Sequence, residues 1–487
     1  MKKKKQSSHT QTNFFSMMIK PRKIPQYSYI ANGIRMTHIG QLRFTRNISS
    51  SLMRKSDIVM SNDLITIKSC KHLRNSTFPE FVRSPNSQLS NIIWNSPLEN
   101  IYVVKKPWDQ DVRDATVRFI THIHDNYPSV NVVVSEDVAD EIIHETNTGG
   151  SVTSILKKQS PKFSLNSKYV IYTGELSQIV NKTDLIVTLG GDGTILRAVS
   201  TFLNANVPPV LSFALGTLGF LLPFDFSTFS ESFRMVYESR GKALHRHRLE
   251  CHVVRKSLND STHTPITDAT PIKNIRQSES GVSPQENVTT MLHAMNDISL
   301  HRGSQPNLIS LDIYIDNEFL TTTTGDGLVF STPTGSTAYS LSAGGSITHP
   351  LVPCIILTPI CPRSLSFRPL ILPASSHIMI KLSDKNRNAS IKLNIDGILQ
   401  QDLQPGDQIH VAGENDSALA TSSRSETVSA SNSENEKTDS TDSTPSSKQD
   451  LCQKGIWCVA RSENDWTKDI NELLGFNSSF KALKLKL

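Results

Sequence analysis

Apolar residues along this chain gather in short runs, and the spacing between them changes character about halfway. "NIYVVKK", "VNVVVS", "KYVIYTG", "DLIVTLGG" and "PPVLSFALG" read as buried strands. Between the first two, Val112, Ala115, Phe119, Ile120 and Ile123 recur at helical spacing, and "TILRAVSTFLN" and "FSESFRMVYESR" carry further helical patterns. Strands alternating with helices predict an α/β domain with an open, mostly parallel sheet over residues 91–245. After "HRHRLECHVVRK" the period shortens to two, in "LISLDIYIDNEFL", "HIMIKLSD" and "ASIKLNIDGIL", with Gly, Pro and Asp turns between. A β-rich domain is therefore expected over 246–480. "NDWTKDINELLGFN" predicts a closing amphipathic helix, begun by Asp and ended near Gly475, that packs back on the first domain.

Stretches 257–289 and 413–454 break this pattern. They are rich in Ser, Thr, Asn, Asp and Glu with almost no large apolar residue, so they cannot bury enough surface to offset ordering entropy. Both are expected as disordered insertions in surface loops. Residues 57–90 show little pattern and are expected as a linker. The N-terminus differs again: the first 55 residues hold 12 of the 51 basic residues and no acid, which leaves 39 bases against 45 acids in the remainder. An acid-free, Arg, Lys and Ser-rich segment with scattered apolar residues predicts a mitochondrial transit peptide over 1–56, hence a matrix protein. The acidic body argues against nucleic acid as a partner. No apolar run is long enough for a membrane span, because the greasiest segment is cut by Pro353, Pro359 and Pro362. Six cysteines, none in a CxxC pair, suit a reducing compartment.

Chemistry concentrates in "LIVTLGGDGTILRAV". Gly190, Gly191 and Gly193 fall where an apolar strand gives way to a helix expected to start near Thr194. In an α/β sheet ligands collect at that end of a strand; glycines admit close approach of phosphate, and the helix N-terminus adds partial positive charge. The loop is neither GxxxxGK[ST] nor GxGxxG. Its tip carries Asp192, a carboxylate among phosphates, which is costly unless it holds a metal ion or takes a proton from an attacking hydroxyl. The plainer reading is that Asp192 caps the helix. A second loop, "ALGTLGFL", adds Gly216 and Gly219 at the same sheet edge.

The β-rich half supplies "TTGDGLVFSTPTGSTAYSLSAGGS", with ten Ser or Thr residues in 24, poor core material and good material for a polar ligand. "HAMNDISLHRG" sets Asn296 and Asp297 after an apolar strand, where they either grip ribose hydroxyls or make an Asx turn. "HRHRLECH" offers His245, His247, Cys251 and His252. The first, second and third share one strand face and His252 the other, which favours strand residues at the domain junction over a zinc site.

Together "TLGGDGTIL", "FALGTLGFL", "AMNDISLHRG", "DGLVFSTPTGSTAYSLSAGG" and "TPICPRSLSFRPLILP" resemble the NAD kinases, most closely their fungal mitochondrial NADH kinase branch, from about Asn91 to Phe480. GGDG is shared with diacylglycerol, sphingosine and phosphofructokinase relatives; the long hydroxyl-rich motif singles out NAD kinases. The resemblance implies the fold of NAD and diacylglycerol kinases and an enzyme that uses ATP with Mg²⁺ to phosphorylate the 2'-hydroxyl of the adenosine ribose of NADH or NAD. It implies Asp192 as proton acceptor, Gly190, Gly191, Gly193, Thr194, Gly216 and Gly219 at the nucleotide, and Asn296 and Asp297 on the dinucleotide. Asp326 matches a further substrate-contacting acid, while Thr337, Ala338, Tyr339, Ser340 and Ser342 match the segment lining adenine and ribose. Cys361 stands where relatives often carry Ala. Thr324 departs from an Arg that many relatives place two residues before the acid. A homo-oligomer formed through the β-rich half is implied as well. Two other classes stay open: a lipid kinase sharing GGDG, and a non-catalytic dinucleotide-binding regulator.

Overall fold

The structure is a computed structural model that describes residues 58–83, 87–158, 168–202, 205–216, 219–255, 289–383, 386–387, 390–414 and 454–475. The expected transit peptide, and nearly all of the two expected insertions, lie outside the described residues.

The five apolar runs of the first half, joined by Ile65–Ser69, form six parallel strands, in the spatial order Ile65–Ser69, Tyr169–Thr173, Asn131–Val133, Asn100–Lys105, Leu185–Gly190, Val210–Ala214. From Asn100–Lys105 the chain first builds outward on one side, then returns to add Leu185–Gly190 on the other. The sheet thus has a topological switch point between these two strands, and the GGDG loop leaves from it. Helix Gln110–Asn126, capped by the Asp109 carboxylate on the Val112 amide, buries Val112, Ala115, Phe119, Ile120 and Ile123, the residues whose spacing predicted it. Full burial of Phe119 alone is worth about 2–3 kcal/mol.

Residues 57–90 are not a linker. Ile58–Ser61 and Ile65–Ser69 continue one edge of this sheet, and Glu80–Arg83 and Ser90–Ile93 form the other. The sequence pattern is weak because the strands are short and partly exposed, and because buried polar contacts fasten the segment. Asp184, fully buried, accepts from the Thr77 amide (2.7 Å), the Glu99 and Asn100 amides (3.1 and 2.8 Å) and Arg74 (3.0 Å).

The chain leaves this sheet after Lys242–Arg246 and enters the second half at Leu249–Val254. Two six-stranded antiparallel sheets follow, ordered 289–294, 249–254, 408–413, 377–382, 309–315, 318–325 and 370–373, 354–360, 327–331, 297–301, 392–395, 398–399. Leu249, Cys251, Val253, Ile298, Leu300, Phe330 and Ile380 fill the core between them. Strand Ile456–Ala460 then returns to the first sheet, between Val210–Ala214 and Lys242–Arg246. Helix Asp465–Leu474 ends at Gly475 in the left-handed conformation (φ 62°), and its Trp466 ring meets His349 of the β-rich half at 4.7 Å.

Of the expected common face of His245, His247 and Cys251, only the two histidine rings meet, edge to face at 5.1 Å. His247 lies in the crossover between sheets, and the Nε2 of His245 is 2.7 Å from the Lys454 carbonyl. Cys251 points into the second core, where burial pushes its thiol up to about 12. The chain changes sheet at this point, so period-two reasoning across residues 245–252 fails.

Candidate functional site

Strand Leu185–Gly190 ends in a glycine at φ 151°, where a Cβ would meet Thr194 Oγ1 at 2.5 Å and Lys106 Cβ at 2.9 Å. Gly191 serves as the extended N-cap, and helix Asp192–Ser200 starts two residues earlier than its apolar spacing suggests. Asp192 does not cap this helix. Its carboxylate crosses to the second glycine loop, where Oδ2 accepts from the Phe220 amide and Oδ1 from the Leu221 amide, both at 3.1 Å. Gly219 makes that approach possible, because a Cβ there would lie 2.2 Å from Asp192 Oδ1. Gly216, at φ 105°, turns the same loop. Burial raises the Asp192 carboxyl above its ordinary range, opposed by the two amides and by the Arg246 charge. Gly193 is exposed with open space above it, whereas the Thr194 side chain is buried beneath Gly190.

Asn296 and Asp297 open strand Asp297–His301, both buried. They are held from outside the motif. The hairpin at Asp396 and Gly397, both at positive φ (49° and 77°), turns the Asp396 carboxylate onto the amides of Met295, Asn296 and Asp297 at 2.8, 2.7 and 3.1 Å. Burial and the Asp396 charge push the Asp297 carboxyl up to about 7, and burial brings Asp396 to about 6. The Asn296 Oδ1 is buried with no hydrogen-bond partner among the described residues. A buried acceptor left open in this way fits a ligand donor.

Asp297, Asp326 and Cys361 all lie near Tyr339. Burial raises the Tyr339 hydroxyl, and the proximity of Asp297, Cys361 and Asp326 raises it further. Asp326 is half-buried and paired with Arg302 (2.6 Å). Cys361 is exposed at φ 43°, and Thr324 shares a hydrogen bond with Ser310 at 2.9 Å.

The hydroxyl-rich segment is only partly available to a ligand. Thr332 Oγ1 donates to the Met295 carbonyl (2.6 Å) and accepts from the Gly335 amide (3.0 Å). Ser336 bonds Thr348, and Ser340, fully buried, shares a hydrogen bond with Thr358 at 2.9 Å. These hydroxyls fix the backbone beside Asn296, and Gly335 lies where a Cβ would sit 2.2 Å from the Asn296 carbonyl. Thr337 and Ala338 are half-exposed, and Tyr339 and Ser342 exposed, so the open face of the expected segment is these four and not Ser340.

The two halves meet here. Met295 packs in one apolar cluster with Ile195 and Ala198 of the Asp192 helix and with Leu221 and Leu222 of the glycine loop. Arg246 reaches Thr334 Oγ1 (3.2 Å) while its charge acts on Asp192. A cavity of about 50 Å³ behind Phe220 and Leu221, lined also by His349, Trp466 and Asp469, has room for water but not for a nucleotide. Sequence reading missed Arg246, Arg302 and Asp396. The third carried a legible signal, the "DG" of a two-residue hairpin turn in "NIDGIL".

Comparison with known proteins places the chain in a family. The family model described as ATP-NAD kinase N-terminal domain matches residues 101–241, and the one described as ATP-NAD kinase C-terminal domain matches 295–420. The chain is 49% identical over 424 residues to the mitochondrial NADH kinase POS5 of Saccharomyces cerevisiae, covering 86% of this chain and 91% of that protein. It is 32% identical over 452 residues to the mitochondrial NADH kinase pos5 of Schizosaccharomyces pombe, covering 92% of each. A crystal structure of yeast NADH kinase complexed with NADH superposes with a TM-score of 0.66 at 48% identity, over 85% of this chain and 98% of that one.

Proposed function

The chain belongs to the ATP-NAD kinase family, and from that premise we propose how its residues carry out the reaction. It is a kinase that uses ATP to phosphorylate NAD(H), giving NADP(H).

In this reading MgATP and the dinucleotide are both substrates, and the Mg²⁺ arrives on the triphosphate. The ribose 2'-hydroxyl is a poor nucleophile at neutral pH. Asp192 accepts its proton, a step worth about 10²- to 10⁴-fold in rate. The observation that carries this role is the position of Asp192: at the sheet's switch point, beside a helix N-terminus, with its carboxyl raised by burial toward the working pH and each oxygen oriented by one amide. Each oxygen keeps a lone pair for the hydroxyl. Backbone N–H groups of Gly191 to Gly193 face the transferred phosphate, and Arg246, whose charge reaches Asp192, offers further positive charge. Asn296 and Asp297 orient the dinucleotide, with the open Asn296 Oδ1 taking a ligand donor. Tyr339, Asp326 and Cys361 line the adjoining surface.

The test is formation of NADPH or NADP by the purified chain with MgATP and NADH or NAD in parallel. Turnover of either supports the assignment, and binding without turnover would leave a dinucleotide-binding regulator. Mitochondrial location follows the fungal relatives. Delivery to the matrix is the finer proposal, checked by fusing residues 1–56 to a fluorescent protein: cytosolic fluorescence would sink it. A homo-oligomer is also proposed, since edge strand Glu318–Gly325 exposes Phe319 and Leu320. A monomeric mass by light scattering would exclude it.

A further inference from the structure

We propose that Glu250, His293 and Glu414, with His252 as fourth donor, bind a divalent transition metal of the zinc type at the crossover between the two halves of the fold. In strand Leu249–Val254 the residues Leu249, Cys251 and Val253 face the apolar core, so Glu250 and His252 face the other way. His293 lies directly opposite Glu250 on the neighbouring strand. Glu414 follows the strand on the other side, its amide bonded to the Arg248 carbonyl at 3.0 Å.

The donor atoms of Glu250, His293 and Glu414 lie within 4.8 Å of one another. A second observation points into the same place. His252 is 4% exposed, its Nε2 has no hydrogen-bond partner among the described residues, and it lies 3.6 Å from Glu250 Oε2. Two carboxylates and two imidazoles are a donor set that suits Zn²⁺ or Co²⁺. Metal–ligand bonds of about 2.0–2.2 Å set neighbouring donors about 3.4 Å apart, so the first three donors must draw in by up to about 1.4 Å and His252 must swing toward them from beside Glu250. Glu414 is already oriented for the role: Arg248 holds it through two bonds (2.9 and 2.7 Å) and the Gly455 amide through a third (2.9 Å). Ligating carboxylates are usually held by such outer hydrogen bonds, and the guanidinium offsets only one of the two carboxylate charges.

Location gives the ion its purpose. The chain passes from the first sheet to the second through residues 247–248, and strand Ile456–Ala460 returns it to the first. Glu250, Glu414 and Gly455 flank these crossings. A metal here staples the junction across which Asp192 and Asn296 must meet, so its effect is on stability before it is on chemistry.

Tag-free full chain, stripped with a chelator and kept in excess Mg²⁺ without nucleotide, is titrated with Co²⁺ and separately with Zn²⁺. The expected result is visible ligand-field absorption saturating at one equivalent of Co²⁺, with Zn²⁺ raising Tm by several degrees. Glu250→Gln and His293→Asn should each weaken Co²⁺ binding at least tenfold. Since either variant risks folding poorly, the unaltered chain decides first: no absorption and no Tm response would overturn the proposal and leave a buried ion-pair cluster. Undiminished absorption in both variants would overturn it equally, by placing the metal elsewhere.

Discussion

At the scale of single residues the site rests on Asp192 and on the hydrogen atom that stands in for a side chain at Gly219. Asp192→Asn keeps the size and one of the two amide contacts, its NH2 being unable to accept the other, and removes the base, so kcat should fall about 10²- to 10⁴-fold or more with KM changed far less, as steady-state assays would read. A near-normal kcat would end the base assignment. Gly219→Ala tests the geometry separately. Its methyl would sit 2.2 Å from Asp192 Oδ1 and must displace the carboxylate. A displacement near 1 Å costs on the order of 10²-fold, so kcat/KM should drop while the Tm changes little.

The hairpin Lys392–Ile395 to Ile398–Leu399 is the element on which the dinucleotide pair depends. Asp297 and Asp396 both have raised carboxyls, at about 7 and about 6, so the folded state favours their protonated forms. Their contribution to stability is therefore full below the ordinary carboxylate range and is lost as pH rises through about 6 to 7. The buried histidines, such as His410 lowered to about 4, act with the opposite sign, so a single melting curve against pH mixes the two. The difference between wild type and Asp396→Asn separates them. Asn tolerates the positive φ, its single oxygen can still accept from the Asn296 and Asp297 amides while the Met295 bond is lost at every pH, and it removes the charge that burdens Asp297. The variant should lose less Tm than wild type between pH 5.5 and 8. Equal losses would show that the two carboxylates do not interact.

On the scale of the whole molecule, the first half is completed by segments far away in sequence. Residues 58–93 supply both sheet edges and residues 456–460 fill a gap in it. Asp184 fastens the early segment through backbone amides that would be left unpaired without it. Asp184→Ala should cost about 3 kcal/mol or more, read by denaturant unfolding. A chain begun at residue 91 should lose Tm far beyond that of one begun at residue 57. If it does not, the early strands are accessory.

Local pattern determined much of this protein. Alternating strand and helix periods in residues 96–245 specify a parallel α/β sheet, because such runs can bury their apolar faces in few ways. The glycine loop, the Asn-Asp pair and the hydroxyl-rich stretch announce a phosphate-handling site, because backbone approach and polar grip leave marks in a few adjacent residues. Tertiary structure alone decided which of those polar groups face a ligand. Ser340 and Thr332 look identical in sequence to Ser342 and Thr337, yet the former pair is buried in internal hydrogen bonds. It also decided the partners of Asp192, Asp297 and Asp184, which come from loops 28 and more residues away. A hydrogen bond leaves no periodicity in either strand it joins, so long-range polar contacts stay hidden until the chain is folded.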